Sequence, residues 1–162
     1  MGYELLDALA TAMSGCTCTV TRLENGWSFR FHGPDSRGAG FFVSAPWRIV
    51  AESRIAHAVD DDGQWFGLPQ PVDGEAKANE LFGDKRVQTL NVDRATADLR
   101  VEFEGGVRLD VFNNSAGYEG WNGNFALNGN DITLVGGGGG DLSFVSVPQG
   151  SNPKVVVAQP IP

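Results

Sequence analysis

Several stretches of this 162-residue chain carry the residue types from which chemistry is made. His57-Ala-Val-Asp60-Asp61-Asp62 offers an imidazole and neighbouring carboxylates, the ligands of a hard cation. A calcium loop places its ligands at alternate positions and closes with a Glu, and Asp60-Asp61-Asp62-Gly63 lacks that spacing. Cys16 and Cys18 are the only cysteines. At i, i+2 on a strand they suit neither a relaxed disulfide nor a zinc site, since only His32 and His57 remain to complete one. Gly136 to Gly140 invites a phosphate-loop reading, but no Lys-Ser/Thr follows, the next residue is Asp141, and a strand pattern comes after. These stretches read as a solvated acidic loop, two reduced thiols and a flexible hairpin loop. No metal and no cofactor is expected. No Gly-x-Ser-x-Gly or other nucleophile setting occurs, so the residues name no catalytic set.

The aromatic and charged residues remain. Trp47-Arg48 and Tyr118-Glu119-Gly120-Trp121 join the residue types enriched in binding hot spots, and Asp61 and Trp65 add an acid and an aromatic in the acidic loop. Trp47, Arg48, Asp61, Trp65, Tyr118, Glu119 and Trp121 are therefore the candidate binding residues. The competing reading is that the tryptophans close the core and that Arg48 and Glu119 pair above them, because Trp is usually highly buried.

The elements that position these residues follow from periodicity. Leu5, Leu6, Leu9, Ala12 and Met13 recur at helical spacing, and Gly15 follows as a cap. Thr17–Leu23 and Trp27–Phe31 alternate on either side of Asn25-Gly26, a strong hairpin signal. Phe41–Ser44 and Trp47–Val50 read as one extended segment broken at Pro46. Residues 60–74 are rich in Asp, Pro and Gly and predict a long loop, or a short strand around Trp65-Phe66. Glu75–Phe82 predicts a second helix. Strands recur at 86–92, 97–103 and 107–112. Beyond Trp121 the chain turns rich in Gly and Asn, with strand-like runs at Asp131–Val135 and Leu142–Val147 and a proline-bearing tail to be held by an edge strand on this chain or on a neighbour.

The 97–112 hairpin can be read in register. A three-residue loop, Glu104-Gly105-Gly106, with Gly106 at positive φ, sets Phe103 opposite Val107, Val101 opposite Leu109 and Leu99 opposite Val111. Glu102 then faces Arg108 and Arg100 faces Asp110. A one-residue slip would turn every side chain over and oppose Phe103 with Arg108.

The halves also resemble each other. Trp27-x-Phe29-x-Phe31-x-Gly33 matches Leu99-x-Val101-x-Phe103-x-Gly105, each preceded by a helix and a strand and followed by a strand and a tryptophan. The expected fold is α+β, mostly β. It has two α-β-β-β units, a duplication with residues 1–58 and 75–125 as pseudo-repeats, and a C-terminal hairpin and tail over 126–162. All of it forms one domain, 1–162, with the meanders sharing a core.

Pro46-Trp47-Arg48-Ile49, with Asp-Asp and Pro69 after it, and Asp98-Leu99-x-Val-x-Phe103-x-Gly105 through Leu109-x-Val111-Phe112, Ser115 and Tyr118-Glu119-x-Trp121, resemble a family of small uncharacterised bacterial proteins. The resemblance covers roughly residues 4–125, and this chain departs from it in its long glycine-rich C-terminal region. Some similar proteins resemble immunity partners in bacterial toxin systems, which implies a protein-binding role.

Composition bounds the partners. Twelve basic against twenty acidic residues give a net charge of −8, spread over both halves. Nucleic acid selects for clustered Lys and Arg and is excluded as the main partner. No run approaches the ~18 apolar residues of a membrane helix, and no basic n-region precedes an apolar stretch, so a cytoplasmic protein without a membrane partner is expected. An acidic surface steers toward a basic protein. The readings in play are a protein-binding domain, an immunity-type protein for a basic toxin included, a small-molecule or enzymatic domain with a cleft between the units lined by Trp47, Arg48, His57, Tyr118 and Glu119, and a homodimer formed through edge strands or the tail.

Overall fold

Alternating side chains give each strand one apolar face, and two sheets of such strands close on each other here. The computed structural model describes residues 2–162. In chain order it contains α1 (Gly2–Met13), β1 (Thr17–Leu23), β2 (Gly26–His32), β3 (Gly38–Val43), β4 (Trp47–Ala51), β5 (Arg54–Ala58), α2 (Gly74–Phe82), β6 (Val87–Val92), β7 (Leu99–Phe103), β8 (Arg108–Val111), β9 (Trp121–Leu127), β10 (Asn130–Gly136), β11 (Leu142–Pro148) and β12 (Gln159–Ile161). The fold is α+β and mostly β, as the sequence predicts.

One antiparallel sheet runs β1-β2-β3-β9-β10-β11-β12 and the other runs β6-β7-β8-β4-β5. The first five strands of the larger sheet and the five of the smaller have the same connectivity. In each, a helix leads into a three-stranded meander, and the next two strands come from the other half of the chain. Trp47 opens β4 and pairs with Val111, while Trp121 opens β9 and pairs with Val43. The two tryptophans therefore occupy equivalent places. The units are not self-contained meanders, however, because each lends a hairpin to its neighbour's sheet. The segment expected to be continuous across Pro46 is two strands in two sheets.

The inner faces share a core. Phe29 meets Trp47 edge-on at 5.2 Å and Phe31 lies over Phe103 at 6.3 Å. Each such aromatic pair contributes about 0.5–1.5 kcal/mol beyond area burial. Leu5, Leu6, Leu9 and Met13 of α1 are buried in this core, and α1 rests on β3, β9 and edge strand β6. Helix α2 rests on β4, β5 and edge strand β1. Its Asn79 acts as a substitute strand: Oδ1 accepts from Val20 N–H at 2.8 Å and Nδ2 donates to Val20 O at 2.8 Å. Glu75 adds a bond to Arg22 N–H at 2.8 Å. An edge that would otherwise recruit another chain is thereby satisfied.

The β7–β8 register is as read, with Leu99 opposite Val111, Arg100 opposite Asp110, Val101 opposite Leu109 and Glu102 opposite Arg108. Phe103 N–H donates to Val107 O at 2.8 Å, and Gly106 has φ +73°.

Other local expectations need correction. The β1–β2 turn is Glu24-Asn25, with Leu23 opposite Gly26, and neither turn residue has positive φ. Gly26 is needed for a different reason: a Cβ there would stand 2.6 Å from Val43 O. The Asn-Gly turn signal belongs instead to Asn128-Gly129, at φ +49° and +77°, which joins β9 to β10. Strand β9 therefore occupies a stretch that composition marks only as rich in Gly and Asn. Strand β5 also goes unread. Its turn, Glu52-Ser53, holds both residues at positive φ without a glycine to announce it. No strand forms at Trp65-Phe66. The glycine run is not a free loop, since Gly139 N–H donates to Ser115 O at 2.8 Å. The tail ends in β12 on this chain's own β11, and residues 126–162 continue the larger sheet.

At Gly136, a Cβ would overlap the indole Nε1 of Trp121. That nitrogen donates to Ala97 O at 2.7 Å inside the core. Gly136→Ala should lower the unfolding free energy by about 1–3 kcal/mol in denaturant titration, the range for overpacking a filled site. Unchanged stability would show that the tryptophan is not fixed there.

Candidate functional site

The candidate residues divide between core and surface. Trp47 and Trp121 are buried at 1% and 0% exposure. Trp47 packs edge-on against Trp27 at 5.1 Å and tilts against His57 at 5.6 Å. Both tryptophans close the core and offer no surface to a partner.

Arg48 and Glu119 do not pair. Glu119 accepts from Asn122 Nδ2 at 2.8 Å, and Arg48 donates from Nε to Asp110 Oδ2 at 3.1 Å. Asp110 is the centre of a cluster that sequence reasoning resolves only in part. Its register partners are Arg48 on β4 and Arg100 on β7, so all three stand on one rung of the smaller sheet. Arg100 Nε reaches Oδ1 at 3.2 Å, and Arg108 bridges both oxygens at 3.0 and 3.1 Å. Arg108 thus turns along its own strand to Asp110, and Glu102 takes the Thr89 hydroxyl at 3.2 Å. Burial pushes the Asp110 pKa up, but hydrogen bonds from Arg108 and Arg48 and the nearby positive charges outweigh it, leaving the carboxyl below its ordinary value. The Arg100–Asp110 pair is legible from the hairpin. Arg48 joins it only because β4 crosses into this sheet.

The acidic loop is better ordered than a solvated charge run. Asp62 accepts Arg22 Nη2 at 2.6 Å and Nε at 2.9 Å, and its Oδ1 also takes Gly74 N–H at 2.8 Å at the start of α2. Asp73 caps that helix by accepting Ala76 N–H at 3.1 Å. The Arg22 hydrogen bond, against some desolvation, holds Asp62 below the usual carboxylate range. Asp61 accepts Ala58 N–H at 2.9 Å and lies on the surface. Between these anchors the chain is stapled by Gly63 N–H to Val72 O at 2.8 Å and Val72 N–H to Gln64 O at 2.9 Å. Beyond the staple stand Trp65, Phe66 and Leu68, exposed at 61%, 99% and 46%. Phe66 and Leu68 are missed by a sequence search for charged aromatic pairs; their position in a Pro- and Gly-bearing loop is the signal that marks them.

Tyr118 is also exposed, in the loop between β8 and β9, where Ser115 Oγ accepts its backbone N–H at 3.0 Å. With Trp47 and His57 in the core and Tyr118 and Glu119 on the surface, the five residues expected to line a cleft between the units do not line one.

The cysteines are buried, and desolvation raises both thiol pKa values, so neither is a ready thiolate. No cluster of metal-binding side chains occurs among the described residues, and none of their helices is long and apolar enough to cross a membrane. Comparison with known protein families, curated proteins and solved structures gives no match.

His57 is 2% exposed, and its Nε2 has no hydrogen-bond partner among the described residues, while Nδ1 lies 4.0 Å from Asp61. Desolvation lowers its pKa, against the opposing pull of Asp61 and Asp62. A depressed folded-state pKa means that the unfolded chain binds the proton more readily. His57 should therefore contribute stability above its unfolded pKa of about 6.5 that is lost as pH falls through the folded value. Urea midpoints between about pH 7 and pH 5 should fall in the wild type. In His57→Gln they should fall less. Equal slopes would show that His57 does not titrate differently on folding.

Proposed function

We propose that this chain is a cytoplasmic protein-binding domain that docks a basic partner through the 62–72 loop, in the manner of an immunity protein meeting a basic toxin. The observation that carries the reading is the loop itself. Trp65, Phe66 and Leu68 project from a base tied by Arg22, Asp62 and two backbone bonds. Pro69 and Pro71 restrict the tip further, so little entropy is lost when it is buried. Asp60 and Asp61 flank it, and the whole molecule carries −8. Aromatic anchors inside an acidic rim match a partner that presents an apolar pocket ringed by Lys and Arg.

Affinity capture from the source cells should retain one basic protein at low salt. Trp65→Ala/Phe66→Ala should lose it, and Asp60→Asn/Asp61→Asn should weaken it chiefly through association rate. Equal capture by wild type and the loop variant, or no capture by either, contradicts the reading.

A second reading, self-association, has its own observation. Val155, Val156 and Val157 are exposed at 78%, 49% and 74% in the tail that precedes β12. Sedimentation velocity of wild type and Val155→Ser/Val157→Ser should then show a dimer lost in the variant. A wild-type monomer at all concentrations removes this reading.

A further inference from the structure

The end of the smaller sheet near the β6–β7 turn holds a cavity of about 310 Å³. Its walls include Asn91, Asp93, Asp98, Arg100, Asp110 and Phe112. Asp110 is fully paired with Arg48, Arg100 and Arg108, but Arg100, Asp93 and Asp98 keep hydrogen-bonding capacity in hand. Arg100 gives its Nε to Asp110 and keeps its terminal nitrogens free. Asp93 accepts Ala95 and Thr96 N–H through Oδ1, at 2.8 and 3.0 Å. Asp98 accepts Asn113 N–H through Oδ1 alone, at 2.8 Å. The Thr96 side chain also hydrogen-bonds Asp93, while the second oxygen of Asp98 has no donor among the described residues.

The charges are also separated. Asp98 immediately precedes β7 and Arg100 is its second residue, so their Cα atoms stand roughly 6–7 Å apart in extended chain. Asp93 sits beside Asp98 across the turn, where Asp93 N–H donates to Asp98 O at 2.9 Å. Asn91 pairs with Arg100 on the neighbouring strand and adds an amide. A simple anion entering this cavity meets Asp93 and Asp98. A simple cation meets Arg100, with Arg48 behind it over the Phe112 ring at 5.0 Å. Only a ligand bearing both charges meets complementary groups at both ends.

We propose that this cavity binds a small zwitterion of the ω-amino carboxylic acid class. Its carboxylate bridges the free Arg100 nitrogens and the Asn91 amide, its ammonium lies between Asp93 and Asp98, and its methylene chain rests on Phe112. The site is independent of the 62–72 loop and goes beyond the protein-binding reading.

The test is a titration of the full chain, followed by backbone amide and Arg Nε–H NMR shifts. The probes are glycine, β-alanine, γ-aminobutyrate and δ-aminovalerate, with acetate and methylamine as single-charge controls. The expected result is saturable shifts over residues 91–100 and 110–112, with one of the longer amino acids binding at least about tenfold tighter than either control. Arg100→Gln should weaken that binding roughly tenfold, and Arg100→Lys should recover part of it. Arg100 is more than half exposed, so both variants should keep the wild-type unfolding midpoint. No saturable shift with any amino acid, controls that bind as well as the zwitterions, or an Arg100→Gln protein that binds like wild type would overturn the proposal.

Discussion

The structure depends on one covalent constraint: each half of the chain must leave its own sheet to complete the other's. The first crossing, residues 44–46, and the second, residues 112–120, are bonded to each other. Ser44 and Ala45 N–H both reach Gly120 O at 3.0 Å, and Phe112 N–H reaches Pro46 O at 2.9 Å. Proline at 46 supplies an acceptor where no donor is needed. Trp47 and Trp121 follow directly and turn their indoles into the core. The rung of Arg48, Asp110 and Arg100 exists only because of this exchange, which sets β4 beside β8. The candidate small-ligand cavity inherits its positive end from that rung.

The two helices complete what the exchange leaves open. A sheet of five or seven strands still has edges, and α2 covers β1 through Asn79 and Glu75 while the chain after α1 covers β6, where Val87 N–H meets Cys16 O at 2.8 Å. The 62–72 loop springs from the N-terminus of α2, and Arg22 on β1 clamps its base. Rigidity of the presented aromatics is therefore a property of the sheet edge and helix cap, and not of the loop alone. A double hydrogen bond from a half-exposed arginine adds little stability by itself; its role is to hold the loop base against β1.

Sequence made the strand faces legible and hid their partners. The β7–β8 register could be read because charge pairs and apolar pairs agree on one alignment, and α1 because five apolar residues share a face. The repeat was visible in Trp27–Gly33 and Leu99–Gly105, since equivalent positions carry equivalent burial. The exchange was not, because alternation says which face is apolar and nothing about which sheet the strand joins. Turn chemistry misled in a specific way. Asn25-Gly26 carried the hairpin signal while Gly26 serves close approach of β3, and Glu52-Ser53 turned without any glycine. Among the candidate residues, Asp61 and Trp65 were singled out by their types and lie on the surface, whereas the burial of Trp47, the pairing of Glu119 with Asn122 instead of Arg48, and the triple pairing of Asp110 follow from tertiary placement.

If the crossings bind the halves into one body, neither sheet can open without the other. Native-state hydrogen exchange across a denaturant series measures this directly. The slowest amides of β3 and β9 in one sheet, and of β4 and β8 in the other, should converge on a single opening free energy with a single denaturant dependence. Two separate plateaus, one for each sheet, would contradict the exchange as the interaction on which the fold rests.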